Sequence, residues 1–207
     1  MKKAKVRSKS EEKRQGILAS AIEIFCAKGF TKASMDSIAK AADVSKQTVY
    51  SHFGNKDDLF AASITQRCNE FRISALPKNI LLEPKVALLT FAENFIQLLL
   101  SDEGMAIHRV CISESQSNPK VSQLFYAAGP EQVIKQVAQL LASYNEQGLL
   151  KINDAQLAAI QFLSLIKGEA VMRREYNTEL QINASDIESY LKSSVELYLC
   201  GYGYQEL

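Results

Sequence analysis

Residues 29–60 read GFTKASMDSIAKAADVSKQTVYSHFGNKDDLF, and the punctuation of this stretch decides the fold. Its end carries the clearest signal. Asn55 precedes Lys56-Asp57-Asp58, so an Asn N-cap is followed by acids in the first helical turn, where they complement the positive end of the helix dipole. Gly54 stops the helix before it. Ser45 stands at the N-cap position ahead of residues 46–53, and Ser34 does the same ahead of residues 35–42. Only Asp43, Val44 and Ser45 remain between those two helices, which is the length of a helix-turn-helix corner.

The second helix of the pair sorts its residues by face. Val49 and Phe53, four apart, pack inward with Val44 from the turn. Lys46, Gln47, Tyr50 and Ser51 fall on the opposite side, with Thr48 and His52 on the flanks. A surface with one cation, an amide, hydroxyls and a phenol, and no carboxylate, suits a groove lined by phosphates and base edges. His52 has no second histidine or acid at a ligand spacing, so it does not read as a metal site.

The run of Phe30, Ile38-Ala39, Ala42-Asp43-Val44-Ser45, Thr48-Val49-Tyr50, His52-Phe53 and Lys56-Asp57-Asp58-Leu59 resembles the N-terminal domain of TetR-type (TetR/AcrR) transcriptional regulators. Asp43 departs from the glycine common in that turn, but aspartate tolerates a left-handed backbone better than most residues. The resemblance implies DNA contacts at Lys46, Gln47, Thr48, Tyr50 and His52, with Lys56 meeting a phosphate, and the outward face adds Ser51. Lys46 and Gln47, nearest the helix N-terminus, are expected to reach base edges, and the others to hold the backbone.

Charge divides the chain the same way. The formal net charge is only +1, yet residues 1–60 carry twelve Lys/Arg against seven Asp/Glu, and the remaining residues twelve against sixteen. A basic head on an acidic body points the head at a polyanion. The chain is therefore expected to divide into a DNA-binding domain over residues 1–60 and a helical body over 61–207 that binds an effector and dimerises. The opening MKKAKVRSKS is a basic arm.

The most apolar stretch, residues 86–100, is broken by Thr90, Glu93, Asn94 and Gln97, so no membrane span is expected. No apolar segment follows the basic start as a secretory signal requires. Cys26, Cys68, Cys111 and Cys200 are scattered without a CxxC pair, which fits a reducing cytoplasm. There is no Gly-rich phosphate loop, no nucleophile motif and no paired metal ligands, so neither an enzyme nor a cofactor is expected.

The body shows only helical periods, with 47% hydrophobic residues overall to fill a core, and the fold class is all-α. Helices are expected over residues 10–28, 56–76, 86–100, 104–116, 119–128, 131–146, from Asn153-x-x-Gln156 to 176, and from Ser185-x-x-Glu188 to 198. The helix after 154 is apolar on two faces, and the second, with Gln161, Leu165, Gly168 and Met172, asks for a partner. The last helix carries Ile187, Leu191, Val195 and Tyr198 at helical spacing. The expectation is a two-fold homodimer built from these two helices, as in the TetR family, presenting two recognition helices about one DNA turn (~34–36 Å) apart to a near-palindrome.

A small apolar effector is expected in the body. Phe91, Phe95 and Phe162 with Phe125 and Tyr126 offer aromatic lining, while Asn94, Arg109 and Glu114 offer polar anchors. The leading expectation is a repressor released from its operator by that effector. Its rival is a DNA-bound activator or scaffold whose body recruits a protein partner.

Overall fold

The computed structural model describes residues 9–71, 73, 83–178 and 183–205. Ten helices are described: α1 (Lys9–Lys32), α2 (Met35–Ala41), α3 (Lys46–Phe53), α4 (Lys56–Glu70), α5 (Pro84–Leu100), α6 (Asp102–Glu114), α7 (Pro119–Ala128), α8 (Pro130–Glu146), α9 (Ala155–Glu175) and α10 (Ala184–Gly201). No strand occurs among the described residues, and no helix there is long and apolar enough to cross a membrane. Most of the connection expected over residues 76–84 and most of the basic arm lie outside the described residues.

The chain forms two compact units: Met1–Gln66 with Ala106–Ala128, and Arg67–Met105 with Gly129–Leu207. In the first, α1 lays Ile17, Leu18, Ala21, Ile22 and Phe25 inward at helical spacing. They meet Ile38 of α2, Val49 of α3, Leu59 and Phe60 of α4, and Ile107, Cys111 and Val121 of α6 and α7. Phe25, Phe30 and Phe60 close the centre with ring centroids 5.0–5.8 Å apart. In the second unit, α5, α8, α9 and α10 surround a core of Leu88, Phe91, Val137, Leu141, Phe162, Ile166 and Val195.

The caps read from sequence form in the head. Ser34 and Ser37 make a reciprocal capping box on α2. Ser45 accepts the Thr48 amide at 3.1 Å, and Asn55 accepts the Asp58 amide at 2.9 Å. In the body the caps shift. Asp154, not Asn153, caps α9 through the amides of Gln156 and Leu157, and α10 starts from Asn183, two residues before Ser185. A single Asp154 oxygen, Oδ1, accepts both amides at 2.9 and 3.0 Å.

Two helices contain breaks at glycine. α1 is interrupted at Gly29 (φ 76, ψ 169) and α9 at Gly168 (φ 59, ψ −170), backbone regions open almost solely to glycine. At the first break the carboxylate of Glu114 accepts from the Thr31 amide at 3.1 Å and the Thr31 hydroxyl at 2.5 Å. At the second, the Tyr190 ring of α10 covers the glycine and its hydroxyl donates to the Leu165 carbonyl at 2.6 Å.

Candidate nucleic-acid interface

The turn between α2 and α3 is held by main-chain bonds, from the Ala42 amide to the Ile38 carbonyl at 2.9 Å and from the Val44 amide to the Ala39 carbonyl at 3.0 Å. Asp43 takes the left-handed conformation, φ 50, that the corner requires. Past the turn, the Ser45 cap starts α3, and Val49 and Phe53 bury its inner face. Behind Phe53, the Arg14 guanidinium of α1 lies 5.3 Å from the ring centroid.

The outward face is what the sequence described. Lys46, Gln47, Tyr50 and Ser51 are exposed, and Thr48 and His52 half-buried. The Thr48 hydroxyl is 2.8 Å from that of Ser45, and the Ser51 hydroxyl donates to the Thr48 carbonyl at 2.8 Å. Two features were not legible. Lys46 Nζ lies 2.7 Å from Oδ1 of Asp36 on α2, and 5.9 Å from the Tyr50 ring centroid. The Asp36 hydrogen bond, then its charge, pushes the Lys46 ammonium above its ordinary pKa. Lys56, expected at a phosphate, instead donates to the carbonyls of Phe30 at 2.9 Å and Ala33 at 3.0 Å and sits 4.4 Å from the Phe30 ring centroid. Those acceptors are more than twenty residues away in the chain, so periodicity gave no sign of them.

The residues expected to line an effector site fall in both units. Phe91, Asn94, Phe95 and Phe162 belong to the second, where Phe91 stacks on Phe95 at 5.6 Å and faces Phe162 at 6.0 Å. Phe162 is fully buried and Asn94 half-buried. Arg109, Glu114, Phe125 and Tyr126 belong to the first unit, where Tyr126 is exposed and Glu114 holds Thr31. A cleft of about 270 Å³ in the second unit is lined by Ile96, Lys167, Arg173, Ile187 and Tyr190 among others, and none of the expected effector residues lines it. Burial, then the nearby Glu114 charge, pushes the Cys111 thiol up to about 12, so it is not a reactive thiolate at neutral pH.

The residues expected at a dimer interface also divide. Gln161 and Met172 of α9 are exposed, and Leu165, Gly168 and Ile187 are half-buried. Leu191, Val195 and Tyr198 are buried inside the protomer at 1%, 1% and 5% exposure, with the Tyr198 hydroxyl donating to the Ala158 carbonyl at 3.0 Å. The strongest apolar stripe of α10 thus serves its own chain. The apolar groups that α9 and α10 leave exposed are Leu157, Ile160, Met172, Tyr190 and Leu197.

A capped two-helix corner that turns a carboxylate-free helix face to solvent defines a helix-turn-helix DNA-binding protein. Comparison with known proteins makes the class specific. Residues 17–63 match the family model of bacterial regulatory proteins of the tetR family, and residues 86–204 match that of the AefR-like transcriptional repressor C-terminal domain. The chain is similar to the HTH-type transcriptional regulator SrpR of Pseudomonas putida, 26% identical over 165 residues that cover 79% of this chain and 76% of that one. A TetR-family transcriptional regulator from Mesorhizobium loti MAFF303099 superposes with a TM-score of 0.75 at 25% identity, covering 95% of this chain and all of its own. The flavonoid-responsive regulator FrrA gives 0.71 at 32% identity, covering 92% and 97%. The chain belongs to the TetR family of transcriptional regulators. It is a DNA-binding regulator and not an enzyme.

Proposed function

We propose that the protein is a homodimeric repressor that holds a near-palindromic operator through α3 and releases it when a small apolar ligand enters the body. The observation that carries the DNA half of this reading is the outward face of α3, where Lys46, Gln47, Tyr50 and Ser51 stand exposed on a capped turn. Lys46 and Gln47 read base edges; Thr48, Tyr50, Ser51 and His52 hold phosphates; Lys56 acts through the carbonyls it anchors. Residues 1–60 are the reading head and 61–207 the sensing and dimerising body, working in the cytoplasm where the DNA is.

Repression is supported by the match to an AefR-like repressor domain, and an aromatic, sparingly polar effector by the flavonoid-responsive relative FrrA. The proposed lining is Phe91, Asn94 and Phe95, which share α5, with Phe91 stacked on Phe95 and Asn94 half-buried. Release requires that the ligand prefer the DNA-free geometry, and a coupling of ~1–3 kcal/mol, about 5–150-fold, is ordinary.

The test uses a duplex selected by the purified protein from a random library and a scrambled duplex of equal length. Binding to either should weaken steeply with salt, by roughly 10³–10⁵ between 50 and 200 mM if six to ten phosphates are neutralised. A flat salt response in fluorescence anisotropy refutes the DNA reading. Gln47→Ala should cost ~1–3 kcal/mol on the selected duplex and far less on the scrambled one.

For the dimer, the two-fold contact is proposed on the outer faces of α9 and α10. Leu197, 65% exposed, and Met172, 56% exposed, are its apolar contacts. Leu197→Glu brings two carboxylates into one desolvated interface, each at a cost of several kcal/mol. Dimerisation should weaken about a thousandfold or more, read by sedimentation velocity. A variant that stays dimeric at the same concentration places the interface elsewhere.

A further inference from the structure

The helix that reads DNA carries no acid of its own, but α2 supplies one. Asp36 lies in the first turn of α2, where its charge complements the helix dipole. Its Oδ1 reaches across the corner to Lys46 Nζ at 2.7 Å. Lys46 is the first residue of α3, the end of a helix where a cation is disfavoured. Both side chains are largely exposed, so as a stability element the pair is worth little. Its consequence lies at the DNA surface. Binding to arbitrary DNA is driven by cations that replace counterions on phosphates, whereas discrimination comes from donors aimed at base edges.

We propose, on the reading of α3 as the recognition helix, that Asp36 sets sequence discrimination: by holding the Lys46 ammonium it withholds that cation from phosphates and leaves it for a base edge. An ammonium has three donors. One stays on Asp36, and two are left for the paired acceptors that guanine presents as O6 and N7 in the major groove. A non-cognate duplex presents that acceptor pair opposite Lys46 only in some registers. In the others the competing site is a phosphate, and the Asp36 carboxylate is repelled by it. Asp36 therefore penalises the non-specific complex more than the specific one. The Tyr50 ring centroid lies 5.9 Å from the same ammonium, at the outer edge of cation–π range.

The experiment is Asp36→Asn in the full-length protein, assayed by anisotropy as a function of salt on the library-selected and scrambled duplexes. The scrambled duplex should be bound about tenfold more tightly near 0.1 M salt, with the slope of log K against log salt steeper by about 0.9, the signature of one more neutralised phosphate. Affinity for the selected duplex should change less than threefold, so the specificity ratio falls. In a Lys46→Ala background Asp36→Asn should alter neither slope nor ratio, because Asp36 acts through Lys46. Asp36→Glu, which keeps the carboxylate, should keep the ratio near that of wild type, and if the asparagine variant folds poorly, Asp36→Ser removes the carboxylate and should show the same loss of discrimination. Equal gains on both duplexes, or a gain that survives in the Lys46→Ala background, reduce Asp36 to bulk charge and overturn the proposal. A wild-type protein without salt-dependent binding to either duplex overturns the DNA reading itself, a distinguishable failure.

Discussion

Gly29→Ala will lower the stability of the chain by about 2–4 kcal/mol and weaken DNA binding. The backbone there, φ 76 and ψ 169, is a region that alanine enters only at a strain of about 1–3 kcal/mol. A β-carbon would also lie 2.5 Å from Oε1 of Glu114. That oxygen is the far end of a flexible side chain, so it yields by rotating, at the expense of the bonds that the Thr31 amide and hydroxyl make to Oε2 of the same carboxylate. Moving it weakens solvent-exposed hydrogen bonds, at a cost of about 0.5–1.5 kcal/mol. The combined loss is a large fraction of the ~5–15 kcal/mol that holds a typical domain folded. The corner after Gly29 also presents the carbonyls that Lys56 grips, and α2 begins six residues after Gly29, so the position of α2 and α3 depends on it. Adding Glu114→Ala to Gly29→Ala should remove the steric part and leave the backbone part, and chemical denaturation of the four proteins separates the two. Wild-type stability in Gly29→Ala would show that the chain does not turn here as described.

Phe162→Ala will cost about 3–5 kcal/mol, the range for truncating a fully buried phenylalanine. Phe162 has 0% exposure. Its ring centroid lies 6.0 Å from that of Phe91 and 5.0 Å from that of Tyr198, so truncation leaves a void between α5, α9 and α10. In urea denaturation the midpoint should fall while the slope m is retained. This result separates two roles that look alike in a sequence. An aromatic residue lining a ligand site is cheap to truncate in the free protein and costly only to ligand binding; a residue packed among its own neighbours behaves in the opposite way. A loss below about 1 kcal/mol would return Phe162 to the effector site.

The head was legible because its information is local. Ser34, Ser45 and Asn55 each cap a helix within three residues of their own position, and Val49 and Phe53 reveal an inner face by their spacing alone. The side-chain links were not legible, because they join residues far apart in the chain. Asp36 and Lys46 are separated by the turn itself, Lys56 reaches back to Phe30, and Glu114 meets Thr31 across 83 positions. No period relates such partners. In α10 the periodicity marks an apolar stripe, but a stripe does not say whose core it enters. Leu191, Val195 and Tyr198 form the more apolar side and are taken by the protomer, which leaves the weaker side, with Tyr190 and Leu197, outside. Helix starts in the body shifted by one or two residues because several adjacent polar residues qualify as caps, and Asp154 and Asn183 lie where the chain enters the helix.

The ring of Tyr190 seated on Gly168 has a consequence for descent. A β-carbon at 168 would stand 2.5 Å from a ring carbon, so neither position is free to drift while the other is fixed. Lineages that discard the tyrosine lose the hydroxyl that occupies the Leu165 carbonyl, and lineages that discard the glycine must first vacate the ring's seat. The two sites should therefore be inherited, or abandoned, as a pair.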